Sequence, residues 1–209
     1  MLIEKPLVSS RITVRNYQKS DLPYLTAMWF DKENGKYMSD PTVEYVDSDF
    51  QKALDSLEDS PNGYYLTVVL NSSDEIIGSA CIFPDEKKEI FDIGYCVHKG
   101  YWGKRFGSEL LALIVTLIRN NGGIEITAEV AQDNIASNRL LANNGFKIKK
   151  KSQFKKYKMN ICFNSYIYTF SCANQTWIKL KFIFVNNAYL KSSRTYRLRA
   201  FYNRTYGPY

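Results

Sequence analysis

The chain has 209 residues, 45% of them hydrophobic and 23% charged, with a net charge of +7. That length suits one domain, or one domain plus an extension, with enough chain to bury a substantial core. No run approaches the ~18 apolar residues of a membrane span, and the start, Met1-Leu2-Ile3-Glu4-Lys5-Pro6, has no long apolar stretch, so neither a membrane segment nor a signal peptide is expected.

In chain order, Arg11 to Tyr17 reads as a strand. Ser20 is a good N-cap, with Pro23 just inside a helix running to about Phe30. Residues 31–45 are polar and loop-like. A second helix, about Asp47 to Asp59, has Phe50, Ala53, Leu54 and Leu57 at helical spacing, and Pro61-Asn62-Gly63 breaks it. Tyr64 to Leu70, Ile76 to Phe83 and Glu89 to Val97 read as consecutive antiparallel strands, with turns at Asn71 to Asp74 and Pro84 to Lys87. A loop at Tyr101 to Ser108 opens a helical run from Glu109 to Ile118. The strand Ile124 to Val130 follows, then a helix from Asn134 to Asn143 closed by Gly145. Lys147 to Met159 and Ser165 to Phe170 complete a hairpin. The expected fold is α/β, with a mixed, twisted, mainly antiparallel sheet flanked by helices.

The loop Trp102-Gly103-Lys104-Arg105-Phe106-Gly107-Ser108 lies between a strand and a helix. This context places free backbone N–H groups and the positive end of the helix dipole at one point, which suits a phosphate or pyrophosphate. Gly103 and Gly107 would let the backbone approach such a ligand closely, and Lys104 and Arg105 add positive charge. A second segment, Asp133-Asn134-Ile135-Ala136-Ser137-Asn138-Arg139-Leu140-Leu141-Ala142-Asn143-Asn144-Gly145-Phe146, follows the next strand.

In this order the two segments resemble the acetyl-CoA-binding half of the GNAT superfamily of N-acetyltransferases. The first is similar to the family's (Gln/Arg)-x-x-Gly-x-(Gly/Ala) loop, with Trp102 at the Gln/Arg position and Arg105 at the central glycine. The second is similar to the family's Asn-x-x-Ser-x-x-Leu-x-x-x-Gly-Phe helix and turn, at Asn134, Ser137, Leu140, Gly145 and Phe146. Arg11-Ile12-Thr13-Val14-Arg15 followed by Ser20-Asp21-Leu22-Pro23 resembles its first strand and helix. The resemblance spans roughly residues 9 to 172 and is nearest in flavour to the ribosomal-protein N-terminal acetyltransferase branch. It implies acetyl-CoA as co-substrate and direct transfer to a primary amine, on a small molecule or a protein N-terminus. It further implies that the backbone of Tyr95, Cys96 and Val97 pairs with pantetheine, that the Asn134 side chain holds the same arm, and that backbone N–H groups from Gly103 to Ser108 hold the pyrophosphate. Arg139 and Lys104 are candidates for the 3′-phosphate or adenosine region.

Amine attack on a thioester needs alignment, a proton acceptor and a proton donor for the leaving thiolate. Many members carry a Tyr just after the Leu of the second motif; here that place is Leu141. The candidates are therefore Asp92 as base, Ser137 as substitute acid and Tyr95 lining the acceptor pocket. Each has a plain alternative: a solvent-facing strand residue, a hydroxyl bonding the helix backbone, and a packing aromatic. Cys96 and His98 read as a core residue and an exposed loop residue. The four cysteines, Cys81, Cys96, Cys162 and Cys172, show no Cys-x-x-Cys spacing, so no metal, no disulfide framework and a cytoplasmic location are expected.

Residues 31–59 hold nine acids (Asp31, Glu33, Asp40, Glu44, Asp47, Asp49, Asp55, Glu58 and Asp59) against three lysines, a rim that would draw in a cationic acceptor or serve only as a solvated face. Residues 173–209 form a basic, aromatic extension with seven Lys and Arg and no Asp or Glu, so it carries the whole net charge of +7 and residues 1–172 sum to zero. Trp177 to Val185 alternates in part, as an extra edge strand would. The extension could dock on the domain, swap with a partner in a homodimer, be poorly ordered, or come from a shifted frame. Two alternatives to an enzyme stand beside this reading. One is a CoA-binding or sensing module without catalysis, for which Leu141 speaks; the other is nucleic-acid association through the extension, the weaker reading. No membrane partner is expected.

Overall fold

The computed structural model describes residues 3–40, 47–61 and 63–172. The expected extension at 173–209 and the strand at Trp177 to Val185 lie outside the described residues. Among the described residues, eight strands form one sheet in the order β1-β2-β3-β4-β5-β6-β8-β7. They are β1 (Leu7–Val8), β2 (Ile12–Asn16), β3 (Tyr64–Leu70), β4 (Ile76–Pro84), β5 (Ile90–Val97), β6 (Glu125–Ala131), β7 (Lys147–Lys155) and β8 (Cys162–Ser171). All neighbours are antiparallel except β5 and β6. Helices α1 (Leu22–Trp29) and α2 (Ser48–Asp55) contribute to a cluster on one face, with Trp29, Phe50, Leu54 and Cys96. Helices α3 (Phe106–Asn120) and α4 (Ile135–Asn143) cover the other.

The main core lies under α3. Leu110, Leu111, Leu113, Ile114 and Ile118 of this helix pack with Ile12, Leu66, Ile82, Phe91 and Ile126, all nearly or fully buried. At roughly 1.5–3 kcal/mol for each large apolar side chain buried, this layer dominates the favourable side of folding. Along β5, Phe91, Ile93 and Tyr95 face it, while Cys96 joins the α1 and α2 cluster. Strand alternation therefore puts Asp92 on the α1 and α2 face.

Three helix limits differ from the expectation; one is the start of α3, at Phe106 rather than Glu109. Ser20 is not the cap of α1; a short 3₁₀ turn at Lys19–Asp21 precedes it, and the structural role passes to Asp21. The Asp21 carboxylate, 3% exposed, accepts from the Arg15 guanidinium (2.7 and 2.8 Å), the Thr67 hydroxyl (2.7 Å) and the Gln18 N–H (3.0 Å). Burial pushes its pKa up, and these hydrogen bonds more than offset it, holding the carboxyl below its usual range. Helix α2 stops at Asp55, short of Asp59. The Ser56 hydroxyl bonds the Ala53 carbonyl, and the acids that follow oppose the dipole at a helix C-terminus.

Helix α4 ends as its sequence suggests. Gly145 has φ +88°, its N–H bonds the Ala142 carbonyl (3.1 Å), and Phe146 N–H bonds the Leu141 carbonyl (3.1 Å). This is a Schellman motif, and its apolar pair, Leu141 and Phe146, is buried in the main core.

Candidate active site

Strands β5 and β6 pair over only three positions, Ile90 with Glu125, Phe91 with Ile126 and Asp92 with Thr127. Beyond that point β5 stays with β4 as far as Val97, and β6 stays with β8 as far as Ala131. The two strands have parted, and a cleft opens between residues 93–97 and 128–131. It lies at the carboxyl ends of the parallel strands, where α/β sheets bind ligands. Helices α3 and α4 both begin beside it.

The two helix starts are built differently. Asn134 caps α4, its side-chain oxygen accepting from the Ser137 N–H at 3.1 Å. At α3 the N-cap is Arg105, whose side chain caps nothing. The first N–H groups of a helix have no intrahelical partner, so those of Phe106, Gly107 and Ser108 are presented to a ligand. Gly103 (φ +74°) and Arg105 (φ +66°) both adopt left-handed backbone, and no atom lies within 4 Å of a Cβ placed on Gly103. At Gly107 a Cβ would meet Leu140 Cδ2 at 2.9 Å, so its lack of a side chain also serves the packing of α3 on α4. The loop is tied down by the residue before β2. Arg11 clasps Glu109 (2.8 and 2.6 Å), donates to the Lys104 carbonyl (3.0 Å) and lies over the Phe106 ring. The Arg11 guanidinium offsets the Glu109 charge that the helix start would otherwise present to an anion.

The other predicted residues fall as follows. Lys104 and Arg105 are exposed on the loop, with Lys104 Nζ donating to the Gly100 carbonyl at 3.0 Å. Trp102 is exposed, but its indole N–H donates to the Val97 carbonyl at 2.7 Å. That carbonyl, expected to pair with pantetheine, is thus already engaged. Arg139 is exposed on α4. His98 caps the 3₁₀ turn Lys99–Tyr101, Nδ1 accepting from Gly100 N–H at 3.2 Å. Burial pushes the Cys96 thiol up to about 12, which keeps it protonated and a poor nucleophile.

Two pairs border the cleft, one on each face of the sheet. On the α4 side the Tyr95 and Ser137 hydroxyls are 2.7 Å apart. Burial raises the Tyr95 pKa to about 12, so the phenol keeps its proton. On the opposite face Asp92 accepts from the Thr127 hydroxyl at 2.7 Å. Although the residue is open to solvent along the cleft, the surrounding protein desolvates its carboxyl and raises the pKa to about 6. The Thr127 bond works against that rise and the charge of Glu129 adds to it.

Glu129 is a further candidate that motif matching misses. It lies two positions along β6 from Thr127, on the same face, and accepts from the Ser165 hydroxyl. The signal was the alternation of polar Glu125, Thr127 and Glu129 with apolar Ile126, Ala128 and Val130. Asn34 had no such signal. From the 31–40 loop it receives the Lys99 N–H (2.6 Å) and donates to Cys96 Sγ (2.9 Å), so it ties that loop to the end of β5. Several acids of the expected rim are already paired. Asp31 and Glu33 meet Lys99 (2.8 and 3.4 Å), and Asp47 meets Lys158 (2.8 Å) while capping α2.

The model of the acetyltransferase (GNAT) domain matches residues 11–147. The chain belongs to the GNAT family. It is an acetyl-CoA-dependent acyltransferase, and its chemistry is acetyl transfer to an amine. A curated relative, an uncharacterized N-acetyltransferase p20 of Bacillus licheniformis, is 27% identical over 160 residues, which is 73% of this chain and 86% of the relative. Two solved structures share the fold. Spermidine N-acetyltransferase from Vibrio cholerae, in complex with CoA and spermine, has a TM-score of 0.66 at 14% identity, covering 78% of this chain and 96% of that one. Ribosomal-protein-S5-alanine acetyltransferase from Vibrio fischeri has a TM-score of 0.63 at 15% identity, covering 82% and 98%. The GNAT donor suits the site on this chain's own atoms. The uncapped start of α3 and the left-handed loop match a pyrophosphate, and the unpaired strand edges match an arm that carries amides. No helix among the described residues is long and apolar enough to cross a membrane.

Proposed function

We propose that the chain acetylates a primary amine that enters over Asp92, on the α1 and α2 face of the cleft. The parting of β5 and β6 directly after the Asp92–Thr127 pair supports this reading above all. Acetyl-CoA supplies an activated carbonyl, so alignment and proton transfer are the protein's share of the work. Backbone N–H groups from Gly103 to Ser108 hold the pyrophosphate, with Lys104, Arg105 and Arg139 as nearby cations. The backbone of Tyr95 and Cys96 and the side-chain amide of Asn134 hold the pantetheine arm. Asp92 takes the proton of the acceptor's ammonium, directly or through one water, and Glu129 beside it attracts the cation. Tyr95 and Ser137, on the opposite face, hold a proton for the leaving thiolate and stand in for the tyrosine that Leu141 replaces.

The base tells something of the acceptor. An α-amino group titrates near 7.7–8.0 and a lysine-like amine near 10.4. A carboxylate near 6 lies about 2 units below the first and about 4 below the second. A peptide or protein N-terminus, the weaker base of the two, is the acceptor class that any such carboxylate deprotonates more readily. The relatives' names include both a spermidine and a ribosomal-protein acetyltransferase. Four free thiols suit a reducing cytoplasm as the setting.

Thiol release from acetyl-CoA, followed with N-terminal peptides, polyamines and small amines, tests the proposal. The expected result is turnover with a free α-amine, reduced at least about 100-fold by Asp92→Asn combined with Glu129→Gln. An unreduced rate in that double variant would remove both carboxylates from the mechanism. A protein that binds acetyl-CoA but turns over with no amine would favour the sensing alternative.

A further inference from the structure

The 31–40 loop has no helix or strand of its own, yet it is held at three points. At its start Lys99 pairs with Asp31 (2.8 Å). In its middle Asn34 reaches the end of β5. Its far end meets Lys156, the residue after β7. Lys156 is 3% exposed, and its ammonium donates to three carbonyls of the loop: Gly35 (2.7 Å), Met38 (2.8 Å) and Asp40 (3.0 Å). An ammonium has three donors, and all three go to this one loop. The next residue adds a backbone bond from Tyr157 N–H to the Ser39 carbonyl at 2.7 Å.

The position of the loop gives the clamp a purpose. The Tyr37 ring lies against Phe163 of β8, with centroids 5.7 Å apart. Phe163 is two residues from Ser165, which bonds Glu129, so the two share a face of the sheet. The loop therefore runs from the end of β5 to the β7–β8 hairpin across the face that carries Asp92, Thr127 and Glu129. Burying a charge is costly unless every donor is satisfied. A methionine would fill the same space without that cost, so packing alone does not account for the lysine.

We propose that Lys156 is a positioning residue for the acceptor, its ammonium holding the 31–40 loop as the roof under which the amine binds. The proposal rests on the reading that the amine enters over Asp92. Lys156 touches neither substrate; it acts through the loop carbonyls.

Two variants of the full-length protein test it: Lys156→Met, which keeps the bulk and loses all donors, and Lys156→Gln, which keeps two donors without the charge. Amide exchange across 31–40 should quicken by about tenfold or more while exchange in β3 and β4 stays as in the parent. The KM for a peptide amine should rise by about tenfold, with the Kd for acetyl-CoA within about twofold. The glutamine variant should fall between the parent and the methionine variant. Unchanged exchange in the loop would overturn the clamp, and needs no acceptor to be seen. A loosened loop with an unmoved KM would overturn its role toward the acceptor, as would a loss confined to acetyl-CoA affinity. The rate of Asp92→Asn decides the underlying site separately. If the methionine variant fails to fold, the glutamine variant carries the same measurements.

Discussion

Arg105 stands where related loops carry glycine, and its φ of +66° explains the usual choice. A side chain in left-handed backbone costs roughly 1–2 kcal/mol, which glycine does not incur. Arg105→Gly should relieve that strain and remove a cation from the anion site. The expected outcome is an unfolding temperature no lower than the parent's, together with weaker acetyl-CoA binding in calorimetry. Asp92 carries strain of another kind. Its folded pKa is raised to about 6, so the folded protein binds a proton there more tightly than the unfolded chain does. That contribution to stability is present in full below the unfolded value near 3.9 and is lost as the pH rises through about 6. Asp92→Asn should therefore unfold at a higher temperature than the parent at pH 8, with the difference shrinking toward pH 4, while its activity falls. Thermal scans at several pH values check the sign.

At the scale of elements, Leu141 shows what a departure from a motif means physically. It is fully buried in the core, and its carbonyl accepts from Phe146 N–H to close α4. Leu141→Tyr should not restore a proton donor. It should cost about 1–3 kcal/mol by overpacking, measured by denaturant unfolding, with no gain in turnover. Strands β3, β4 and β5 and the ends of α4 were legible because period-two alternation, an asparagine cap and Gly145 are local signals. Helix α3 starts three residues before Glu109; Phe106 to Ser108 has the composition of a loop, and only tertiary packing puts Phe106 in the core. Asp92 borders the cleft on one face of the sheet, and Tyr95, Ser137 and Asn134 lie on the α4 side. The cleft itself had no signal, because β5 and β6 each remain strands with their other neighbours after they part. Asn34 and Lys156 were invisible for a related reason: the carbonyls that Lys156 grips are supplied by any residue.

At the scale of the molecule, a net charge of zero over residues 1–172 hides a separation. Seven lysines fall between Lys147 and Lys158, and β7, which carries most of them, is an outer strand of the sheet. Exposed lysines on an edge strand discourage pairing with other chains. We propose that the catalytic domain ends at Cys172, whose N–H bonds the Ile124 carbonyl at 2.8 Å. A protein cut after that residue should bind acetyl-CoA as the full chain does and unfold at a similar temperature, while losing the whole +7 of net charge. A truncated protein that is insoluble would show that the extension belongs to the fold.

The short run of pairing between β5 and β6 makes the sheet two stiff plates, β1 to β5 and β6 to β8, joined by a seam of three residue pairs. Whatever lies along the open part of the seam works as a splint. At a ligand concentration a hundred times Kd the added stability is about 2.7 kcal/mol. It should not spread evenly. Amides at 93–97 and 128–131 should slow most when acetyl-CoA is present, and those of the shared core under α3 should change least.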